Sequence, residues 1–193
     1  MGKQSLLFWL LIAALLGASA YFGVKAERLR LTFQRGTGAV VSSGETVFLT
    51  QVLDGDTLLV EDDEGESISL RLVGIKALPS KVDKDPASRF GRAAVGSLER
   101  TLAGQPARVE LDDPPLDRHG RLLAYVFVND SDVGLGLVEQ GLVLVYTAHP
   151  FKEMTKYADR QKQARAAARG LWSDPDVVAR ARHLERQWNA QRL

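Results

Sequence analysis

Three short stretches of the chain carry residues able to do chemistry: VLDGDT with Asp56, RLVGIKALPS with Arg71 and Lys76, and DRHGR with His119 and Arg121. Taken singly, each residue has an ordinary structural use. Asp56 suits a turn, Arg71 a solvated strand face, and Arg121 an ion pair with Asp117. His119 could serve as a base, although a histidine in such a turn more commonly sits exposed. His149 and His183 lack the spacing of metal ligands. The chain has no cysteine, which excludes disulfides, thiolate zinc sites, CxxC redox chemistry and a cysteine nucleophile. No Ser-His-Asp arrangement is evident. RGTGAVVSSG lacks the preceding strand, following helix and GK[ST] ending of a phosphate loop.

The elements that must position these residues are legible from periodicity. In TVFLTQVLDGDTLLVEDDEGESISLRLVGI, Val47, Leu49 and Gln51 alternate, Asp54-Gly55-Asp56 marks a turn, and Leu58–Val60 is apolar. Glu64-Gly65-Glu66 marks a second turn, and Ile68, Leu70 and Leu72 form another period-two face, so three strands follow in a meander. Ala93, Ala94, Leu98 and Leu102 have helical spacing with Gly104 as a stop. Two further strands, Arg108–Leu111 and Leu122–Val128, flank a loop with Pro and Gly. Helices then cover Val133–Gln140 and Lys152–Arg169, and LWSDP separates a final basic helix. Five short strands among helices predict an α+β, mainly β fold: a small closed barrel of the OB type with about three helices, plus the extra C-terminal helix.

The length of 193 residues suits one domain with appendages. Residues 4–24 form a run of 21 uncharged residues between Lys3 and Lys25. A helix of that length spans about 30 Å, the hydrocarbon thickness of a bilayer. The run therefore reads as a transmembrane anchor, in contact with membrane lipid, or as a signal peptide cleaved after Ala18-Ser19-Ala20. Tyr21, Phe22 and Val24 extend the apolar stretch past that cleavage site and favour the anchor. Lys25, Arg28, Arg30 and Arg35 outnumber Lys3, which would leave the domain on the cytoplasmic side; cleavage would instead export it. The organisation read this way is 1–25 anchor or signal peptide, 26–45 linker, 46–173 folded domain and 174–193 basic helix. Near-neutral net charge hides an asymmetry. About ten Lys and Arg face about seventeen Asp and Glu over residues 50–150, and about ten face about five over 151–193. The basic tail suggests contact with nucleic acid or anionic lipid, or a solvated face with Leu171, Trp172, Leu184 and Trp188 packed inward.

VLDGDT, LRLVGIKALP, FGRAA, DRHGRLLAYV, LVEQGL and ARAAARGLW, in this order, resemble the staphylococcal nuclease (thermonuclease) family over residues 46–173. The resemblance implies a five-stranded OB barrel with three helices that cleaves DNA and RNA phosphodiesters with one Ca²⁺. Two aspartates and a backbone carbonyl hold that ion, a glutamate acts on the attacking water, and two arginines bind the phosphate. By motif, Asp56 falls on the first metal aspartate, Arg71 and Arg121 on the two arginines, and the Ala77 carbonyl on the backbone ligand.

Two positions depart from the pattern. Lys76 stands where the second metal aspartate is expected, and Pro79 where the glutamate is expected. A cation about 4 Å from a divalent ion, at an effective dielectric near 20, is repelled by on the order of 8 kcal/mol. Ca²⁺ prefers six or more oxygens, several from carboxylates. The resemblance thus implies Ca²⁺ as cofactor but weak or absent binding here, and a binding or scaffold module with impaired hydrolysis. The competing reading is a working metal-dependent endonuclease in which Asp83 or Asp85 swings inward. A third expectation is that Lys76 pairs with Asp56 and fills the metal position with its own charge. Nucleic acid is the partner that the family implies.

Overall fold

The computed structural model describes residues 41–117 and 119–191. The Gly55-Asp56 turn closes an antiparallel hairpin between β1 (Thr46–Asp54) and β2 (Thr57–Glu61), with Asp54 opposite Thr57. β3 (Ser67–Leu72) pairs antiparallel with β2. β5 (Pro106–Leu116) pairs with β1 and with β6 (Leu122–Val128), and β6 returns parallel to β3. That last pairing joins the two ends of the meander and leaves a closed five-stranded barrel. The two-residue β7 (Ser131–Asp132) extends β6 at its edge. The fold class expected from periodicity holds.

Alternation explains the inner face. Val47, Leu58, Val60, Ile68, Leu70 and Leu72 point into the barrel together with Val109, Ala124 and Val126. Two departures from strict alternation follow from local geometry. A register shift between Leu49 and Gln51 bulges β1, so Thr50 and Gln51 are both exposed instead of alternating. On β3 the second face is covered as well: Ser69 and Arg71 are buried, which rules out the alternative use of Arg71 as a solvated strand residue.

A short strand pair escaped the periodicity. β4 (Ile75–Ala77) lies antiparallel to β8 (Val143–Val145), with Lys76 opposite Leu144. Ile75 and Ala77 are buried and Lys76 is exposed, so the substituted position sits on a strand rather than in a loop.

Four helices lie among the described residues, joined by a 3-10 turn. In α1 (Ser88–Leu102), Phe90, Ala94, Leu98 and Leu102 are buried, while Ala93 is exposed. α2 (Val133–Glu139) is capped by Asp132, whose carboxylate accepts from the Leu135 N–H at 3.0 Å. α3 (Met154–Ala166) leads through a 3-10 turn (Gly170–Ser173) to α4 (Pro175–Gln191). Pro175 opens α4 where its missing N–H costs nothing, and the Asp174 carboxylate accepts from the N–H groups of Asp176 and Val177.

α4 is part of the fold. Val177, Ala181 and Trp188 enter a second apolar cluster with Leu78, Phe90, Leu144, Leu171 and Trp172, and Leu184 is half-buried beside it. Packing also reaches ahead of β1, where Val41 is buried in the barrel core and the Leu111 N–H donates to the Ser43 hydroxyl. The apolar run read as an anchor or signal peptide, and the linker up to residue 40, lie outside the described residues. Among the described residues no helix is long and apolar enough to cross a membrane.

Candidate functional site

The site is organised around one buried carboxylate. Asp56 is 2% exposed, held at the mouth of the β1–β2 hairpin. The hairpin can sit there because Gly55 lacks a side chain: an added Cβ would lie 2.8 Å from the Cβ atoms of both Ala77 and Ala94. Gly91 plays the same part on α1, where a Cβ would meet the Leu78 carbonyl oxygen at 2.4 Å and that of Pro79 at 2.7 Å. The DGDT and FGRAA motifs are thus two sides of one close contact between hairpin, β4 and α1.

Both oxygens of Asp56 are engaged. Oδ1 accepts from the Arg71 guanidinium and from the Thr57 hydroxyl, the latter at 3.0 Å. Oδ2 accepts from the Ala77 N–H at 2.8 Å and stands 3.5 Å from the Lys76 ammonium. The ion pair between Lys76 and Asp56, one of the alternatives drawn from the sequence, is therefore present. Arg71 also donates to the Asp56 carbonyl at 3.2 Å and the Ile75 carbonyl at 2.8 Å, which ties the β1–β2 turn to the β3–β4 turn. These three contacts all lie inside the protein.

Arg121 approaches from the β5–β6 connection. Its Nε and Nη2 donate to Asp117 Oδ2 at 2.8 and 2.6 Å, and its Nη1 reaches the Thr57 hydroxyl at 3.5 Å. Asp117 also accepts the backbone N–H groups of His119 and Arg121, so the turn and the side chain are set by one carboxylate. The structure brings Asp56, Arg71, Lys76, Ala77 and Arg121 together. Thr57, which the sequence reading left unassigned although it lies in the DGDT motif, joins Asp56 to Arg121.

Three other residues fall differently. Pro79 is half-buried with its carbonyl against Gly91, so the position expected for a glutamate is packed against α1. Asp85 does not turn toward the site. Its carboxylate binds the Arg180 guanidinium of α4 at 2.7 Å and the Ala87 N–H at 2.9 Å. Asp83 is exposed.

Among the described residues no three Asp, Glu, His or Cys side chains converge on a point. The one central carboxylate already carries two cations and two hydrogen-bond donors, so this donor set does not fit a hard divalent cation such as Ca²⁺. Burial works against ionising Asp56, yet the charges of Arg71 and Lys76 and the hydrogen bonds from Arg71 and Ala77 outweigh it. Together they hold the carboxyl below the ordinary carboxylate range. A depressed folded-state value stabilises the fold above the unfolded-state pKa, and that stability is lost as pH falls through the folded one. Lys76→Ala removes part of the depression, so acid unfolding of the variant begins at a higher pH than in the parent chain. A circular-dichroism pH titration with superimposable acid limbs would show that Lys76 contributes nothing to Asp56.

Comparison with known proteins agrees with the barrel fold. A family model described as staphylococcal nuclease homologue matches residues 69–174. A thermonuclease of Staphylococcus hyicus is 29% identical over 153 residues, covering 76% of this chain and 90% of the relative. An uncharacterized endonuclease of Escherichia coli is 33% identical over 131 residues, covering 67% of this chain and 78% of the relative. The protein ParB of Escherichia coli is 33% identical over 147 residues, covering 70% and 75%.

Proposed function

Since this chain belongs to the staphylococcal nuclease homologue family, we propose that it is a membrane-tethered member in which phosphodiester hydrolysis is impaired and the barrel acts as a binding module. One observation carries the reading: the Lys76 ammonium stands 3.5 Å from the Asp56 carboxylate, where the family would place a second anion and a divalent ion. A phosphodiester repels its nucleophile; a metal ion offsets that repulsion, and an oriented base takes the proton of the attacking water. Here Pro79 supplies no base, and Arg71 already binds Asp56 and the Ile75 carbonyl. Losing an oriented base alone typically costs about 10²–10⁴ in rate. The tether rests on the 21 uncharged residues between Lys3 and Lys25, with the domain on the cytoplasmic side.

A second reading, a metal-dependent endonuclease acting on DNA or RNA, draws on the grouping of Asp56, Arg71 and Arg121 and on relatives named as endonucleases. A nuclease assay on purified full-length protein separates the two. DNA and RNA are incubated with Ca²⁺, Mg²⁺ or EDTA, alongside an Arg121→Ala control. The proposed function predicts no EDTA-sensitive cleavage above that control. EDTA-sensitive cleavage that Arg121→Ala abolishes would establish the second reading.

A further inference from the structure

The solvent side of the α3–α4 contact carries cations that the fold does not use. Val177, Ala181 and Trp188 form the buried face of α4, and Tyr157 and Ala164 that of α3. Between the helices, Glu185 accepts from the Gln161 side-chain amide at 3.0 Å and pairs with Arg165. The Arg165 guanidinium also lies over the Trp172 ring, 4.2 Å from its centroid, so that cation is committed. At roughly 100° per residue, Lys162 falls on the outer flank of Gln161, and Arg182 and Arg186 on the outer flank of Glu185. All three are exposed, and none enters an ion pair among the described residues.

This ridge works against the helix that bears it. Arg182 and Arg186 are four residues apart on one face of α4, where like charges repel and weaken a helix. Glu185 is the one carboxylate among Lys162, Arg165, Arg182 and Arg186. Asp159, one turn before Lys162, offsets part of that charge. Asp176 opens α4, about 9 Å along the axis from Arg182 and about 15 Å from Arg186. The fully exposed apolar side chains of the two helices beside the ridge, Ala158, Ala166, Ala179 and Ala190, are too small to wedge into a partner. Trp172 and Trp188 are 6% and 7% exposed, so no aromatic face is offered for stacking a base. The ridge therefore suits an extended anionic plane met through charge alone. An acidic body with one basic ridge also orients against such a plane and presents the ridge to it.

We propose that Lys162, Arg182 and Arg186 dock the domain on the anionic headgroups of the membrane that holds its own tether. This rests on the tethered reading given above, and the cytoplasmic side assigned there is the leaflet richer in anionic lipid. Residues 26–40 separate Lys25 from Val41 and span at most about 50 Å when extended, so the domain stays within reach of the bilayer. Docking is then intramolecular, and individually weak contacts suffice at the high effective concentration of lipid. Each cation held near a leaflet bearing phosphatidylserine shifts the docked-to-free ratio about fivefold.

The test uses full-length protein reconstituted into vesicles of neutral phosphatidylcholine, or of phosphatidylcholine with about one-third phosphatidylserine. The chain lacks cysteine, so Ala190→Cys on the exposed side of α4 takes a single fluorophore, and energy transfer to a headgroup-labelled lipid reports docking. Transfer should be greater in the anionic vesicles at about 0.1 M salt and fall to the neutral level near about 1 M. Arg182→Gln with Arg186→Gln should lower the docked-to-free ratio about 25-fold, whereas Arg182→Lys with Arg186→Lys should keep it. Equal transfer in the two vesicles, transfer that ignores salt, or unchanged transfer in the Gln double variant at an unchanged melting temperature would each overturn the proposal. If that variant docks as before but loses a fluorescent oligonucleotide, the ridge serves nucleic acid and the proposal fails. Vesicle flotation after a salt wash reads the tether separately. Release from neutral vesicles would overturn the tether, while salt-sensitive capture of the released protein by anionic vesicles alone would still support the ridge as a lipid-binding surface.

Discussion

Replacing Trp188 with alanine is expected to destabilise the whole chain by about 3–5 kcal/mol. In a chain of this size that corresponds to a fall in the thermal midpoint on the order of 10 °C. Trp188 is 7% exposed and packs edge-on against the Tyr146 ring, with centroids 4.9 Å apart. Its indole belongs to the cluster that also buries Leu78, Phe90 and Leu144, so truncation leaves a cavity where the surrounding strands and helices cannot readily close. A helix merely appended to the barrel would respond differently, since a surface truncation usually changes stability by less than about 0.5 kcal/mol. Differential scanning calorimetry of the parent and Trp188→Ala chains distinguishes the two cases.

The same cluster couples α4 to the site. Tyr146 follows β8, and its N–H donates to the Gly74 carbonyl at 2.8 Å, the turn between Arg71 and Lys76. Leu78 lies one residue beyond Ala77, whose N–H binds Asp56. Polar contacts fix the helix in register. Arg180 meets Asp85, Arg89 meets Asp174 at 2.6 Å, Glu185 accepts from Arg165 and Gln161, and the Thr147 hydroxyl donates to Asn189 at 2.9 Å. The hydrogen bond from Arg180, followed by that from the Ala87 N–H, holds the Asp85 carboxyl below its ordinary range. Two of the tail's cations, Arg165 and Arg180, are thus used in docking it.

Strand alternation and helical spacing were enough to locate the barrel because burial follows periods of two and 3.6 wherever one face meets the core. They failed where a second constraint intervened. β4 and β8 are three residues each, too short to display a period, and they exist because Ile75 and Ala77 must be buried beside Val143 and Val145. Arg71 looked like a residue on the outer face of a strand. It is buried because the β1–β2 turn folds over it, a long-range contact that no local pattern encodes. The site residues were legible as motifs, and the Lys76–Asp56 pair rested on the motif frame that sets Lys76 beside Asp56. The use of Asp85 was not legible, since its partner Arg180 lies 95 positions away in sequence. Thr57 was passed over because a threonine after a turn has a strand-forming use that conceals its hydroxyl's contact with Asp56.

Restoring both missing carboxylates, with Lys76→Asp and Pro79→Glu, is expected to convert a chain indifferent to Ca²⁺ into one whose melting temperature rises with it. In EDTA the double variant should be less stable than the parent. It loses the attraction between Lys76 and Asp56, and Asp56 gains a like-charged neighbour within a few ångströms. Two unit charges about 4 Å apart interact by on the order of 4 kcal/mol at an effective dielectric of 20. With the Lys76 side chain 46% exposed, solvent screening lowers the loss to about 1 kcal/mol. The new repulsion should also raise the Asp56 pKa, so the acid limb of the stability curve should move to higher pH. Added Ca²⁺ reverses the sign of the local problem, because two carboxylates now face a cation instead of each other. At a hundredfold excess over the dissociation constant, binding to the folded state alone contributes about 2.7 kcal/mol, a shift of several degrees. The parent chain has no such pair to relieve and should melt at one temperature in Ca²⁺ and in EDTA. An equal calcium shift in the parent would mean that the Lys76 ammonium yields to the ion, and the endonuclease reading would then take precedence.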